Sequence, residues 1–170
     1  MKSYKYTFIS ILFIGQSAVA ANDTIIANFT GDVYDSACTI STGSKDQTID
    51  LGVLYNSELD TPGEASDWFP TSIQLENCPT GSQSVTAQFL GTQEPDNNQY
   101  YQNTGDAENV SVELQSSDGT TLGNGVKKTI TIDSASHSAI FNMKTRAITI
   151  QGGATEGSLL TVIQVNFSYQ

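Results

Sequence analysis

The sequence is short of most of the residues that carry chemistry. Its 170 residues include one histidine, two cysteines, one tryptophan, and seven lysines and arginines against eighteen aspartates and glutamates. A zinc site built on the two cysteines needs two further ligands, and the only histidine, His137, lies in the polar run DSASHS. A thiol or serine nucleophile needs a histidine beside it. Here Asp133, His137 and Ser138 crowd into six residues of a polar turn, with no nucleophile-elbow pattern around them. Asp118-Gly119 and Asn124-Gly125 lack the alternating ligands and closing glutamate of a calcium loop, and a hairpin turn is the expected use. These absences point away from an enzyme and from any cofactor or metal. The shortage of positive charge points away from nucleic acid and anionic lipid.

Apolar runs are also short. The longest, Phe8 to Ile14, follows Lys2 and Lys5 and precedes the small residues Ala18-Val19-Ala20-Ala21. That is the three-part layout of a secretory signal peptide. Nothing further along approaches the roughly 20 apolar residues of a membrane span, so no direct membrane insertion is expected. Cleavage after Ala20 is expected, giving a signal peptide over residues 1–20, with cleavage after Ala21 as the near alternative. Its loss would leave five basic residues against eighteen acidic ones, a net charge of about −13. The acidic residues are scattered singly, as on a solvated surface.

An exported chain enters an oxidising compartment, where two cysteines pair by default, so a Cys38–Cys78 disulfide is expected. Closing that loop stabilises a fold by roughly 4 kcal/mol on the chain-entropy argument.

What is plentiful is Thr, Val, Ile and Ser in short alternating segments, punctuated by Gly, Asn, Asp and Pro. The pattern predicts an all-β domain with strands near residues 29–40, 47–54, 69–77, 84–91, 109–115, 127–132, 138–150 and 158–169. Turns are expected at Gly43-Ser44, Pro62-Gly63, Pro79-Thr80-Gly81, Asp118-Gly119, Asn124-Gly125 and Gly152-Gly153, and a long loop over residues 92–108. Seven or eight short strands in one domain suggest two packed sheets.

The two ends of the exported part complete the pattern. Ile163, Val165, Phe167 and Tyr169 alternate with Gln164, Asn166 and Ser168, the signature of a strand with one buried face. No further strand follows it, so this strand is expected to be an edge that another chain can pair with. Ahead of the first cysteine, Ile25, Ala27, Phe29, Gly31 and Val33 also alternate, and this extension is expected to act as a strand for another molecule.

Together these features resemble a subunit of chaperone–usher fimbriae, the type 1 pilin-like family. The resemblance rests on the signal peptide, the alternating extension, FTGDVYDSACTI, DQTIDLG, SIQLENCP and the terminal VNFSYQ. Tyr169 stands at the family's penultimate tyrosine, and Gly157, fourteenth from the end, at the glycine of its terminal motif. Gly31, seven residues before Cys38, stands at the glycine of the donor segment, and Cys38 and Cys78 at the pilin disulfide.

The resemblance implies an incomplete immunoglobulin-like sandwich lacking its last strand, with an N-terminal donor-strand extension over residues 21–33 and a pilin domain over 34–170. It implies a donor strand of Ile25, Ala27, Phe29, Gly31 and Val33. It also implies a terminal chaperone and acceptor strand containing Gly157, Ile163, Val165, Phe167 and Tyr169. The implied partners are a periplasmic pilus chaperone, an outer-membrane usher and neighbouring pilin subunits, on a route through the periplasm to a cell-surface fimbria. The implied function is that of a structural or adaptor subunit contributing to cell adhesion. The short extension, Ala21 to Asn28 ahead of Phe29, suits a minor or tip subunit. A single-domain glycan-binding adhesin is the alternative, with Trp68, Tyr100 and Tyr101 as the side chains able to stack on a sugar.

Overall fold

The computed structural model describes residues 28–31 and 37–170. The signal peptide and the donor positions Ile25, Ala27 and Val33 lie outside the described residues. Among the described residues, nine strands form two sheets. β1 (Thr39–Ile40), β2 (Phe69–Glu76), β4 (Gln93–Glu94), β5 (Asn97–Gln102), β6 (Ser111–Ser116) and β8 (Ala139–Ile148) make a six-stranded sheet in the order β1-β2-β8-β6-β5-β4. The strands β3 (Ser84–Gly91), β7 (Lys127–Thr131) and β9 (Ile163–Tyr169) make a three-stranded sheet in the order β7-β3-β9. Every strand pairing in both sheets is antiparallel.

Alternation decides which side chains enter the space between the sheets. Along β8, Ala139, Phe141, Met143, Thr145 and Ala147 are buried, while Ile140 and Asn142 between them are exposed. Along β3, Val85, Ala87 and Phe89 are fully buried. These faces meet in one apolar core with Leu75, Val112, Leu114, Leu122 and Ile132. A second, smaller cluster joins Leu59, Val110, Ala147 and Ala154, with Leu51, Leu54 and Leu159 packed against it. The disulfide joins Cys38, next to β1, to Cys78, just beyond β2, tying two neighbouring strands of one sheet.

Three expected elements differ in the structure. Residues 92–108 were expected as a loop and instead contain β4 and β5. Polar composition hid this hairpin, yet Tyr101 faces inward, is fully buried, and donates its hydroxyl hydrogen to the Leu122 carbonyl at 2.7 Å. Residues 47–54 form no strand. Their hydrogen bonds run through side chains instead, with Gln47 Nε2 donating to the carbonyls of Gly43 and Ser72. The strand expected over residues 29–40 is limited, among the described residues, to Thr39–Ile40. The turn at Asp118-Gly119 is as expected. Gly119 has φ +84° and donates its N–H to the Ser116 carbonyl, while the Asp118 carboxylate accepts from the Ser116 hydroxyl, the Thr120 N–H and Lys128.

Candidate functional site

β9 lies at the edge of its sheet, with β3 as its only hydrogen-bonded neighbour among the described residues. The register fixes which of its backbone groups are used. Gln170 and Ser84 exchange both of their backbone hydrogen bonds, at 3.0 and 2.9 Å. Antiparallel pairing alternates bonded and non-bonded residues, so Gln164, Asn166 and Ser168 also bond to β3. The N–H and C=O groups of Ile163, Val165, Phe167 and Tyr169 therefore point away from β3, toward the open edge. The same four residues send their side chains inward against the main core. Each is only half-buried, whereas Val85, Ala87 and Phe89, the β3 partners of Tyr169, Phe167 and Val165, are fully buried. Among the described residues these backbone groups have no partner, and they stand above a row of half-covered apolar side chains, which is an edge open to a further strand.

At its two ends this groove meets the stretch between Cys38 and Tyr55. At one end, Tyr169 reaches it. Burial raises the Tyr169 phenol above its ordinary pKa, and a backbone hydrogen bond at Cys38 pulls it part of the way back. At the other end Leu159, a few residues before β9, faces Leu54 and Tyr55 across a hollow of about 260 Å³ that is also lined by Leu59, Val110 and Ala154. The Tyr55 side chain in this lining is exposed.

Gly157 belongs to this end of the groove. It adopts φ +154°, and a Cβ there would sit 2.4 Å from the Ala107 nitrogen. The close approach lets Ala107 N–H bond to the Ser158 carbonyl at 3.1 Å. Asn103 completes the clamp: its Nδ2 donates to the carbonyls of Ala107 and Ser158, and its Oδ1 accepts from the Leu160 N–H. Residues 158–161 are thereby bonded to the segment after β5, and β9 is freed to leave its edge open from Ile163 onward.

The expected site residues thus divide. Ile163, Val165, Phe167, Tyr169 and Gly157 line one groove, and Cys38 and Cys78 form a disulfide beside its Tyr169 end. Phe29 is 94% exposed and Gly31 is also exposed, outside any strand. Sequence reading missed the hollow under Leu54, Leu59 and Ala154. Its lining comes from three separate loops, and the only sequence signal was an apolar residue recurring in segments otherwise rich in turn formers. Of the three aromatic residues considered for sugar stacking, Tyr101 is excluded by its complete burial.

Residues 27–170 match the family described as Fimbrial protein. Protein FimG of Escherichia coli (strain K12) is 41% identical over 165 residues, covering 96% of this chain and 95% of that protein. The P pilus rod subunit PapA superposes with a TM-score of 0.68 at 21% identity, over 79% of this chain and 100% of that one. A chain from a chaperone–usher pilus superposes with a TM-score of 0.69 at 22% identity, over 91% of this chain and 100% of that one. The last two share the incomplete sandwich as a fold.

Proposed function

This chain belongs to the fimbrial protein family and is a structural or adaptor subunit of a cell-surface fimbria, and from that premise we propose that it is built into the fibre by strand exchange at both of its ends. The groove beside β9 receives a strand from another molecule. Before assembly the donor is a periplasmic chaperone, and in the fibre it is the extension of a neighbouring subunit handed over at an outer-membrane usher. This chain's own extension, residues 21–33, fills the next subunit's groove once the signal peptide, residues 1–20, is removed. Its shortness favours a minor or tip position.

The observation that carries the proposal is the outward row of backbone groups on Ile163, Val165, Phe167 and Tyr169, set above side chains that the core only half covers. Addition of a strand to such an edge is a general mode of peptide recognition, for which pilin complexes are a standing example. Backbone hydrogen bonds supply affinity, and alternate side chains supply specificity. On the donor side, Ile25, Phe29 and Val33 are the large apolar residues, and burying three of them is worth about 5 to 9 kcal/mol before hydrogen bonds are counted. Ordering the extension costs about 1 to 2 kcal/mol per residue, which offsets much of that gain. A lasting junction then depends on the slow withdrawal of a core strand.

The test is unfolding of the purified mature chain beside a version with a donor strand grafted to its C-terminus. The grafted version is expected to be markedly more stable and less prone to aggregate. Equal stability and equal cooperativity would refute an unfilled groove.

A further inference from the structure

The three-stranded sheet has a second edge, opposite β9. β7 ends the order β7-β3-β9, and its register fixes its free backbone groups as firmly as that of β9 does. On either side of β7, the Ile132 N–H bonds to the Gln83 carbonyl and the Val126 carbonyl accepts from the Phe89 N–H, both at 3.0 Å. Lys128 and Ile130, in step with these two, therefore also bond to β3. The backbone groups of Lys127, Thr129 and Thr131 point outward, with no backbone partner among the described residues. Thr129 agrees with this, since its hydroxyl meets that of Thr86 at 2.7 Å, the close side-chain approach of a non-bonded antiparallel pair. Beneath the edge lies a hollow of about 390 Å³ whose apolar lining includes Leu122, Ile130, Phe141 and Met143. This flank offers a strand much of what β9 offers.

One row of inward side chains tells the two flanks apart. Ala87, fully buried on β3, pairs with Phe167 on β9 and with Lys128 on β7. Where one flank has an aromatic ring, the other has an ammonium group. Lys128 is held there by the Asp118 carboxylate, which is itself fixed by the Ser116 hydroxyl and the Thr120 N–H. Both residues line the hollow, and both keep part of their surface in solvent. A strand laid along β7 would cover them, and stripping water from an ion pair commonly costs more than the attraction between its charges. The six-stranded sheet closes its edges by other means. Beside β1, Gln47 Nε2 donates to the Ser72 carbonyl and Ser44 Oγ accepts from the Gln74 N–H, each at 2.8 Å, and Pro70 has no N–H to offer. At the far end β4 is two residues long, with a shift of register. Short edges, proline and inward charges are all devices that keep strands from adding. Among the described residues, β9 is the long edge without one.

We propose that the Lys128–Asp118 pair closes the β7 flank to strand addition, so that strand exchange is confined to β9. β9 keeps the acceptor role proposed above, on which this assignment rests. The strand excluded is β7 of a second copy of the chain: an antiparallel pairing centred on Thr129 would match the outward backbone groups and set each Lys128 beside an Ile130, over the hollow.

The test uses the full mature chain with a donor strand grafted to its C-terminus, so that β9 is occupied and β7 alone is in question. Its mass is measured by sedimentation over a range of concentrations. The grafted chain is expected to stay monomeric. Carrying Lys128→Met and Asp118→Asn together, it is expected to shift from monomer to dimer as concentration rises, whereas Lys128→Arg, which keeps the charge, leaves it monomeric. Thr129→Pro removes one outward N–H and none of the bonds to β3, and is expected to return the double variant to a monomer. Should the double change prevent folding, Lys128→Met alone, which leaves the Asp118 turn intact, is read in the same way. A folded double variant that stays monomeric at every concentration, association that survives Thr129→Pro, or dimerisation of the unaltered or Lys128→Arg grafted chain would overturn the proposal. Failure of the β9 reading shows separately, as a grafted chain no more stable than the ungrafted one, whatever its mass.

Discussion

Phe141 of β8 and Phe167 of β9 meet across the two sheets with ring centroids 5.8 Å apart and planes at 44°. The contact links a residue that is 3% exposed to one on a half-covered edge. The open strand is therefore anchored to the core by its inward side chains even though, among the described residues, one backbone edge has no partner. Phe167→Ala is expected to destabilise the fold by about 2 to 4 kcal/mol, combining lost burial with the loss of an aromatic pair. Denaturant unfolding of the strand-complemented protein measures it. A loss below about 0.5 kcal/mol, the range of ordinary surface changes, would mean that β9 is not held by this contact.

The disulfide braces the Tyr169 end of the groove, because Cys38 is also the residue that Tyr169 reaches. Replacing both Cys38 and Cys78 by serine is expected to cost about 2 to 5 kcal/mol, and the yield of soluble chain should fall with it. Thiol titration of the native protein under denaturing conditions is expected to find no free thiol; two would remove the brace.

The two ends of the chain are expected to fail differently. Gly31→Val changes the proposed donor segment and leaves the two sheets as they are. Its effect should fall on the neighbour's groove, where a branched side chain overpacks a close approach. Chaperone-bound monomer should accumulate in the periplasm. Tyr169→Ala removes the contact at the Cys38 end of this chain's own groove, and degraded subunit is expected instead. Immunoblots of periplasm and fibres distinguish the two; normal incorporation of both variants would take the assigned roles from both ends.

Alkaline stability tests the hairpin that composition concealed. Burial raises the Tyr101 phenol well above the ordinary tyrosine value. The folded state disfavours the phenolate, so this contribution is full below about pH 10 and is lost as pH climbs above that value. Tyr101→Phe leaves the Leu122 carbonyl without its donor, which is expected to cost about 1 to 3 kcal/mol at neutral pH. The same change should flatten the loss of stability above about pH 10. Urea midpoints measured at neutral pH and at rising alkaline pH check both; an unchanged slope would mean that Tyr101 is accessible to water.

Much of the proposed acceptor groove was legible because it obeys a local rule. Ile163, Val165, Phe167 and Tyr169 alternate strictly, and alternation alone assigns their side chains to the core. The turn at Asp118-Gly119 was legible for the same reason, since its chemistry lies within five residues. β4 and β5 were not legible: NNQYYQ has no apolar alternation, and only Tyr101, indistinguishable in sequence from Tyr100, enters the core. The strand expected over residues 47–54 failed in the opposite sense. Its alternation is real, but its backbone has no sheet neighbour, and its leucines serve the small second cluster and the hollow beside Leu159. The Lys128–Asp118 pair was not legible either: its residues are only 10 apart in sequence, but that Lys128 faces inward is set by the pairing of β7 with β3.

The most direct test of the open edge is amide hydrogen exchange along β9, residue by residue, in the mature chain alone and in the version carrying a grafted donor strand. In the chain alone, Gln164, Asn166 and Ser168, bonded to β3, are expected to exchange slowly, and Ile163, Val165, Phe167 and Tyr169 quickly. With the donor strand in place all seven should be slow, the second set by at least about 100-fold. Equal protection of Ile163, Val165, Phe167 and Tyr169 in both proteins would contradict an edge that waits for a strand.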